Sequence, residues 1–492
     1  MRYFVLSICL FFTVSIFAQK KTYVLTLDEV IEMAKSQSTE AIQAKHSFRS
    51  SYWQHRSYKA EFLPSLVFSG SLPSFTHGVE QVRQNDGTYQ YRQVFSNNLS
   101  GMFSLEQNVP LTGGTFSINS RLERNDNYNP RSTRYTSTPV SIRYSQSIFG
   151  VNRLKWSKKI EPLRYQEAKR KYLKSIENVS ITAIRYFFSL ATAQQNLAMA
   201  EFNYANNDTL FRIAGGRYGI GTIGENDLLQ SELTYENSKA SLNDAKLQLA
   251  TSQNRLRSFL GFNENADIEI IIPHEIPNVD LNLDKIMELS KESNPDLLAY
   301  QRQLIEAEQN VATQRSSRFT ANLSVEFGLN PYSDSPIEEI TDAYKNLKDR
   351  EVIGLNLRIP ILDWGQGKGR IKMAESNLDL VRTQIDQALI DFEQNIVLQV
   401  NQFNQQSEQF KITAKADTIA QKRYSVSMQR FLIDKISITD MNNAQNDRDS
   451  AKQRYISALS NYWNFYYTLR QTTLYDLLKN EPLEVDYDML ID

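Results

Sequence analysis

Ser147-Ile148-Phe149-Gly150 leads into a run of more than sixty residues that ends at Arg217-Tyr218-Gly219-Ile220 and Asp227-Leu228. The same succession returns 213 residues later, as Pro360-Ile361-Leu362-Asp363, then Arg430-Phe431-Leu432-Ile433 and Asp440-Met441. One offset holds at both ends, so the stretch was duplicated with no net insertion, and a repeat of this kind has to be read before any local motif. Between Val151 and Ala214 the only helix breaker is Pro162, and from Arg370 to Asn480 there is neither Gly nor Pro. In the first copy Ile176, Val179, Ala183, Tyr186, Leu190, Ala193, Leu197, Ala200 and Tyr204 step by three and four in turn. That spacing is a heptad seam and predicts left-handed coiling of long helices. The second copy carries the seam as Leu389, Phe392, Ile396, Gln399, Phe403, Gln406, Phe410 and Thr413, with every second position more polar.

A second pair of matches lies outward from the rods. Leu25-Thr26-Leu27-Asp28 recurs as Leu281-Asn282-Leu283-Asp284, an offset of 256, and Ser38-Thr39-Glu40 matches Asn294-Pro295-Asp296, both helix starts. The chain therefore divides into repeats at 19–280 and 281–492. In the first we expect a helix over 26–63, strands over 64–150, a long helix over 151–214, a turn over 215–227, a helix over 228–260 and a connecting segment over 261–280. In the second we expect a helix over 284–319, strands over 321–362, a long helix over 363–430, a turn over 431–440, a helix over 441–474 and a tail over 475–492. Each rod spans roughly 100 Å at about 1.5 Å per residue. The two shorter helices of each half, placed end to end, match that length. The result is a wall one helix thick, which has no centre until copies close around one.

Between helix and rod the apolar period changes from 3.6 to 2. Leu66, Phe68, Gly70 and Leu72 alternate with Val67, Ser69 and Ser71, and apolar residues also alternate with mostly polar ones over Leu99 to Val109, Phe116 to Leu122 and Val140 to Ile148. The second half offers two such runs, Leu323 to Leu329 and Ile353 to Ile359. Alternation over about ten residues is the signature of a transmembrane barrel strand, though a half-buried soluble sheet alternates in the same way.

Met1-Arg2 followed by an apolar run from Phe4 to Phe17 and by Ala18-Gln19 reads as a secretory signal over 1–18. The only cysteine, Cys9, lies inside it. Lys and Arg number 55 against 56 Asp and Glu, a balance that gives no case for nucleic acid as partner.

Catalytic chemistry is not legible. His46 and His55 lie nine residues apart, on opposite helical faces, and cannot share a metal. Gly215-Gly216-Arg217-Tyr218-Gly219-Ile220-Gly221 follows a helix and lacks the Gly-Lys-Ser/Thr ending of a phosphate loop. No enzyme activity, cofactor or metal is expected.

The ordered set of matched segments resembles the TolC-like outer membrane efflux proteins over essentially the whole mature chain. The resemblance rests on the order helix, strands, long helix, turn, helix, taken twice, on the openings at Leu25 and Leu281, on the strand exits Gln146 to Phe149 and Ile359 to Leu362, and on the turns at Arg217 and Arg430. It implies an α+β membrane protein: a homotrimer with a β-barrel in the outer membrane and a coiled-coil helical barrel in the periplasm, with 261–283 and 475–492 as a belt. It also implies that the turns form the periplasmic mouth and meet an adaptor (membrane fusion protein) of an inner-membrane pump. The tip residues that would gate and dock are Arg217, Tyr218, Gly221, Asp227, Arg430, Phe431, Asp434 and Asp440, with Gly219 and Gly221 freeing the first turn. Two departures stand out. The family pattern has two strands per half, whereas the first half here has four, and Asp434 stands where the first turn has Gly221. The expected function is a passive exit duct for small molecules. The alternatives are the duct of a type I protein secretion system or, in another class, a periplasmic or surface coiled-coil scaffold or adhesin.

Overall fold

The structure, a computed structural model, describes residues 22–491 apart from 85, 130, 263–266, 274, 278, 280 and 434. The signal segment, Cys9 and Asp434 therefore lie outside the described residues.

The duplication is visible in the helices. Their order is α1 (Leu27–Gln37), α2 (Thr39–Ala60), α3 (Arg153–Gly219) and α4 (Glu225–Leu260), then α5 (Leu283–Ser293), α6 (Pro295–Ser316), α7 (Gln366–Leu432) and α8 (Ile438–Thr473). The paired lengths are 11 and 11, 22 and 22, 67 and 67, and 36 and 36 residues. Each opening helix breaks where the second start signal sits. Ser38 and Asn294 are extended, at ψ 147° and 127°, and Pro295, which has no N–H to lose, begins α6. The 26–63 and 284–319 helices are thus two pieces each. Thr26 closes a capping box with Glu29, and the Asn282 side chain accepts from the Asp284 and Lys285 amides. The long helices also overrun the expected turns. α3 runs through Gly215 and Gly216 to Gly219, because two glycines weaken a helix without barring its backbone hydrogen bonds.

The strands are β1 (Thr22–Leu25), β2 (Ser65–Arg83), β3 (Tyr89–Val109), β4 (Gly114–Tyr128), β5 (Arg131–Ser147), β6 (Asp267–Ile270), β7 (Thr320–Pro331), β8 (Leu347–Arg358) and, as a short antiparallel pair in the tail, β9 (Tyr475–Asp476) and β10 (Glu481–Pro482). No strand is expected over 19–25, yet β1 pairs in parallel with β6.

The contacts divide the chain into two units, with α2, α3 and α7 contributing to both. The first gathers the chain up to Ser47, Lys171–Asn294 and Glu393–Asp486. Its core is the coiled-coil seam. α7 buries a narrow stripe of Ile396, Val400, Phe403, Phe410, Thr413, Tyr424 and Phe431. α3 buries a broader face, including Val179, Ala183, Ile184, Phe187, Leu190 and Ala191. α7 and α8 run antiparallel: Phe403 meets Tyr462 at 5.0 Å, and seven residues on, Phe410 meets Tyr455 at 5.6 Å, seven back. A buried ionic chain ties the tail to this unit. Glu177 sits 2.9 Å from Lys35 and 3.0 Å from Arg470, and Arg470 reaches Asp476 at 2.7 Å. Asp476 also accepts from the Tyr466 hydroxyl at 2.9 Å and the Leu478 and Lys479 amides at 3.1 and 3.2 Å.

The second unit holds Phe48–Arg170, Pro295–Phe392 and the chain from Tyr487. Its centre is one six-stranded sheet in the order β2-β3-β4-β5-β7-β8, antiparallel throughout. The registers place Val67, Ser104, Asn119, Ser141 and Gly328 along one line of the same face, and Phe68, Phe103, Ser120 along the other. Period-2 alternation then sorts the sheet into a face of Ser, Asn, Arg and Glu and a face of Leu, Phe, Ile and Val. Bulges between Ser71 and Ser74 and between Asn119 and Arg121 interrupt two ladders. On the polar face Glu326 pairs with Arg143 at 2.6 Å and Arg350 at 2.9 Å. Among the described residues no helix is long and apolar enough to cross a membrane.

Candidate functional site

Both expected tip turns lie in the first unit, where α3 passes into α4 and α7 into α8. The first is short. The Gly221 amide donates to Tyr218 O at 2.9 Å and the Thr222 amide to Arg217 O at 2.9 Å, which terminates α3. Gly221 has φ +76°, the left-handed region, so here a glycine is required. Gly219, expected to share that task, is the last residue of the helix. In the second turn the Lys435 amide donates to Arg430 O at 2.8 Å.

The two arginines, equivalent in the repeat, are used differently. Arg217 is half-buried and lies with its guanidinium carbon 5.3 Å from the Phe431 ring centre, its Nη2 3.5 Å from Phe431 O. Arg430 is exposed, with no side-chain hydrogen bond or ion pair among the described residues. Phe431 is 5% exposed and belongs to an apolar cluster with Leu210, Tyr424, Ile438 and Met441, against which Met428 and Ile436 pack. Tyr218, Gly221 and Asp227 are exposed. Asp227 stands in the first turn of α4, where a negative charge favours the helix dipole. Asp440 is a capping residue: its carboxylate accepts from the Ser437 hydroxyl at 2.8 Å and amide at 3.3 Å, while its own amide donates to Ser437 Oγ at 3.1 Å. Thus the structure brings Arg217 and Phe431 together, and gives Asp440 a partner inside its own turn.

One group near the turns carried no signal in the sequence. The Arg448 guanidinium lies 4.2 Å over Tyr424 and 4.9 Å over Phe202, and donates to Asn203 Oδ1 and to Asp449 at 2.6 Å. Asn203 donates in turn to Asp449 at 2.6 Å, and Asn206 to the Tyr424 hydroxyl at 3.1 Å. Burial pushes that Tyr424 hydroxyl above its usual range, against the neighbouring guanidinium. A cleft of about 470 Å³ beside it is lined by Gln195, Met199, Asp417 and Lys452 among others. Three acidic or basic residues in a row, Asp447-Arg448-Asp449, look like a solvated helical face, and only the packing of α3 against α8 gives Arg448 its place.

The comparisons with known proteins agree on the fold. A sequence model of the family described as outer membrane efflux protein matches residues 30–262 and 286–473. Among solved structures, the CmeC outer membrane channel of Campylobacter jejuni is 15% identical with a TM-score of 0.64, covering 94% of this chain and 88% of its own. The outer membrane protein VceC of Vibrio cholerae is 14% identical with a TM-score of 0.62, covering 93% and 97%. The open-state MtrE outer membrane channel of Neisseria gonorrhoeae is 14% identical with a TM-score of 0.57, covering 93% and 91%. At such identities the likeness is one of fold. No curated protein matches the sequence.

Proposed function

Because this chain belongs to the outer membrane efflux protein family, and so to the outer membrane, we propose that it is the passive exit duct of a tripartite efflux system. In this reading three copies close their sheets into a barrel in the outer membrane and their coiled coils into a periplasmic tunnel. An inner-membrane pump supplies the energy, a periplasmic adaptor joins the two, and small molecules move down their gradient through the duct.

The observation that carries the proposal is the incompleteness of a single copy. The long helices match in length to the residue, yet Leu389, Leu398, Ile412, Ile419 and Val426 of α7 stand 40–59% exposed. The sheet likewise turns Leu66, Phe68, Ile353 and Leu355 outward at 59–72% exposure. Apolar surface on this scale marks interfaces with protein or lipid. In the hydrocarbon of a bilayer only helices and closed barrels satisfy every backbone group, and here the strands are the spanning elements.

We place the gate and the adaptor-docking surface at the two turns, through Arg217, Tyr218, Gly221, Asp227, Arg430, Phe431, Asp434 and Asp440. Each long helix ends there, so a small change in coiling moves the mouth. The seating of Arg217 on Phe431 supplies a contact between the two turns that an adaptor can compete for.

The test is topological. Cysteines introduced as Tyr89→Cys, at the first residue of β3 beside the β2–β3 turn, and Asp334→Cys, in the segment joining β7 to β8, should react with a membrane-impermeant thiol reagent on intact cells. Tyr89 is 61% exposed and spares Gly87, whose φ of +88° would strain a side chain. Labelling confined to lysed cells would reject this orientation.

A further inference from the structure

Four strands in the first half and two in the second raise the question of what becomes of the extra hairpin. The strands leave no room to set it aside. β2 is tied to α2 and β5 to α3, so both begin or end at the helical side of the sheet. β3 and β4 stand between them, with continuous antiparallel registers from Ser65↔Glu106 through Val109↔Gly114 to Thr115↔Ser145. Their connecting turn is pinned at the same end: Gln107 Nε2 donates to Phe62 O at 3.0 Å, Asn152 Nδ2 to Pro110 O at 2.9 Å and Gln146 Nε2 to Thr112 O at 3.0 Å. Extruding the pair would break two ladders and these anchors together.

The sheet therefore has two unpaired edges, β2 and β8. A soluble edge strand is blunted by lysines, inward charges or coverage. Here Ser65 to Ser71 of β2 and Val352 to Asn356 of β8 carry no charge at all, and Pro73 falls in the bulge, where it costs a seam at most one donor. The two edges are also matched. β2 starts at the helical end and β8 finishes there, so β2 of one copy laid beside β8 of the next is antiparallel, like every other neighbour in the sheet. Their faces agree as well: Ser69 lies on the polar face with Gly354, and Phe68 on the apolar face with Ile353 and Leu355.

Six strands are too few for a transmembrane barrel, which takes about eight or more, and at about eight the interior is already filled by side chains. A polar face bearing Arg121, Arg143, Glu123 and Glu326 needs a lumen filled with water, which about 16–18 strands provide. We propose that β2 of each copy pairs with β8 of its neighbour, and that three copies of the six-stranded sheet close as a barrel of 18 strands, the inserted hairpin being part of the wall. This rests on the trimeric duct proposed above and extends it: the outer membrane pore is that of a wide porin rather than of a barrel with four strands per copy.

The test is disulfide cross-linking of the full-length protein in outer membranes, where the only native cysteine, Cys9, lies in the expected signal segment. Ser69→Cys is combined in turn with Val352→Cys, Ile353→Cys, Gly354→Cys, Leu355→Cys and Asn356→Cys. The expected result is a shift of the denatured band to the mass of two and three chains for one or two of the even-numbered partners, which share the polar face with Ser69, and none for 353 or 355. Ser117→Cys of β4, combined with the same β8 positions, should give single chains. Particles that are trimeric by light scattering yet cross-link through Ser117→Cys, or at no β8 position, overturn the 18-stranded barrel and leave the duct standing. Folded particles that are monomeric by light scattering overturn the duct itself, and the barrel with it.

Discussion

Replacing Arg217 by alanine separates a latch from a decoration at the tip. The guanidinium lies 5.3 Å over the Phe431 ring, while its 3.5 Å approach to Phe431 O is too long to add much. A cation over an aromatic face at a partly exposed site contributes about 0.5–1 kcal/mol. If three tips open together, the closed mouth loses about 1.5–3 kcal/mol, which at about 1.4 kcal/mol per tenfold is a shift of roughly ten- to hundredfold toward open. The assay is open-state occupancy of single trimers in planar bilayers, with circular dichroism to confirm folding. Arg430→Ala is the internal control: Arg430 is exposed and unpartnered among the described residues, so its removal should change occupancy less than twofold. Equal behaviour of the two variants, whether both open or both silent, would refute the assignment of the latch to the Arg217–Phe431 contact.

Three further outcomes follow from other contacts in this unit. Asp440→Ala removes the N3 half of the capping box, while Ser437 still accepts from the residue-440 amide, and should destabilise α8 by about 0.3–1.5 kcal/mol; Asp440→Asn, which still accepts from Ser437, should melt close to wild type, and a role as a gate charge would instead be lost in both. Arg470→Leu leaves the buried Asp476 carboxylate without its counter-ion and Glu177 with Lys35 alone, and should cost about 3–5 kcal/mol in thermal unfolding. The pH dependence has a definite sign. Burial alone would raise the Asp476 carboxyl, but the Lys479 amide, the Arg470 guanidinium and the Tyr466 hydroxyl outweigh it and hold it below the ordinary aspartate value of about 3.9. Its stabilising contribution is thus complete above that value and is lost as pH falls through the lower folded value. Asp476→Asn should flatten the melting curve below about pH 4, and an unchanged acid limb would contradict the ionic clamp.

The helices were legible because their signals are redundant. Two copies of one pattern, matched caps at Thr26 and Asn282 and an unbroken heptad seam all point the same way. Period-2 alternation was equally clear in all six long strands. What escaped the sequence was set by tertiary packing. β1 reads as four residues of a helix start, and it becomes a strand only because β6, some 240 residues on, offers an edge. Gly215 and Gly216 look like a turn, yet α3 continues through them to Gly219, since two glycines weaken a helix without removing its backbone hydrogen bonds. At the tip, the repeat made Arg217 and Arg430 look alike, and nothing local says that only one of them faces Phe431. Asp440 could have been read as a cap, since Ser437-Ile438-Thr439-Asp440 is a capping box with Asp in place of Glu. Arg448 could not, because its partners lie on another helix.

The central claim is that copies of this chain close around a water-filled axis. Electron microscopy of the detergent-extracted protein, viewed end-on, tests it most directly. The expected particles have threefold symmetry and an open, stain- or water-filled hole ringed by the sheets. Folded single chains, or closed particles with no axial hole at the sheet end, would contradict it.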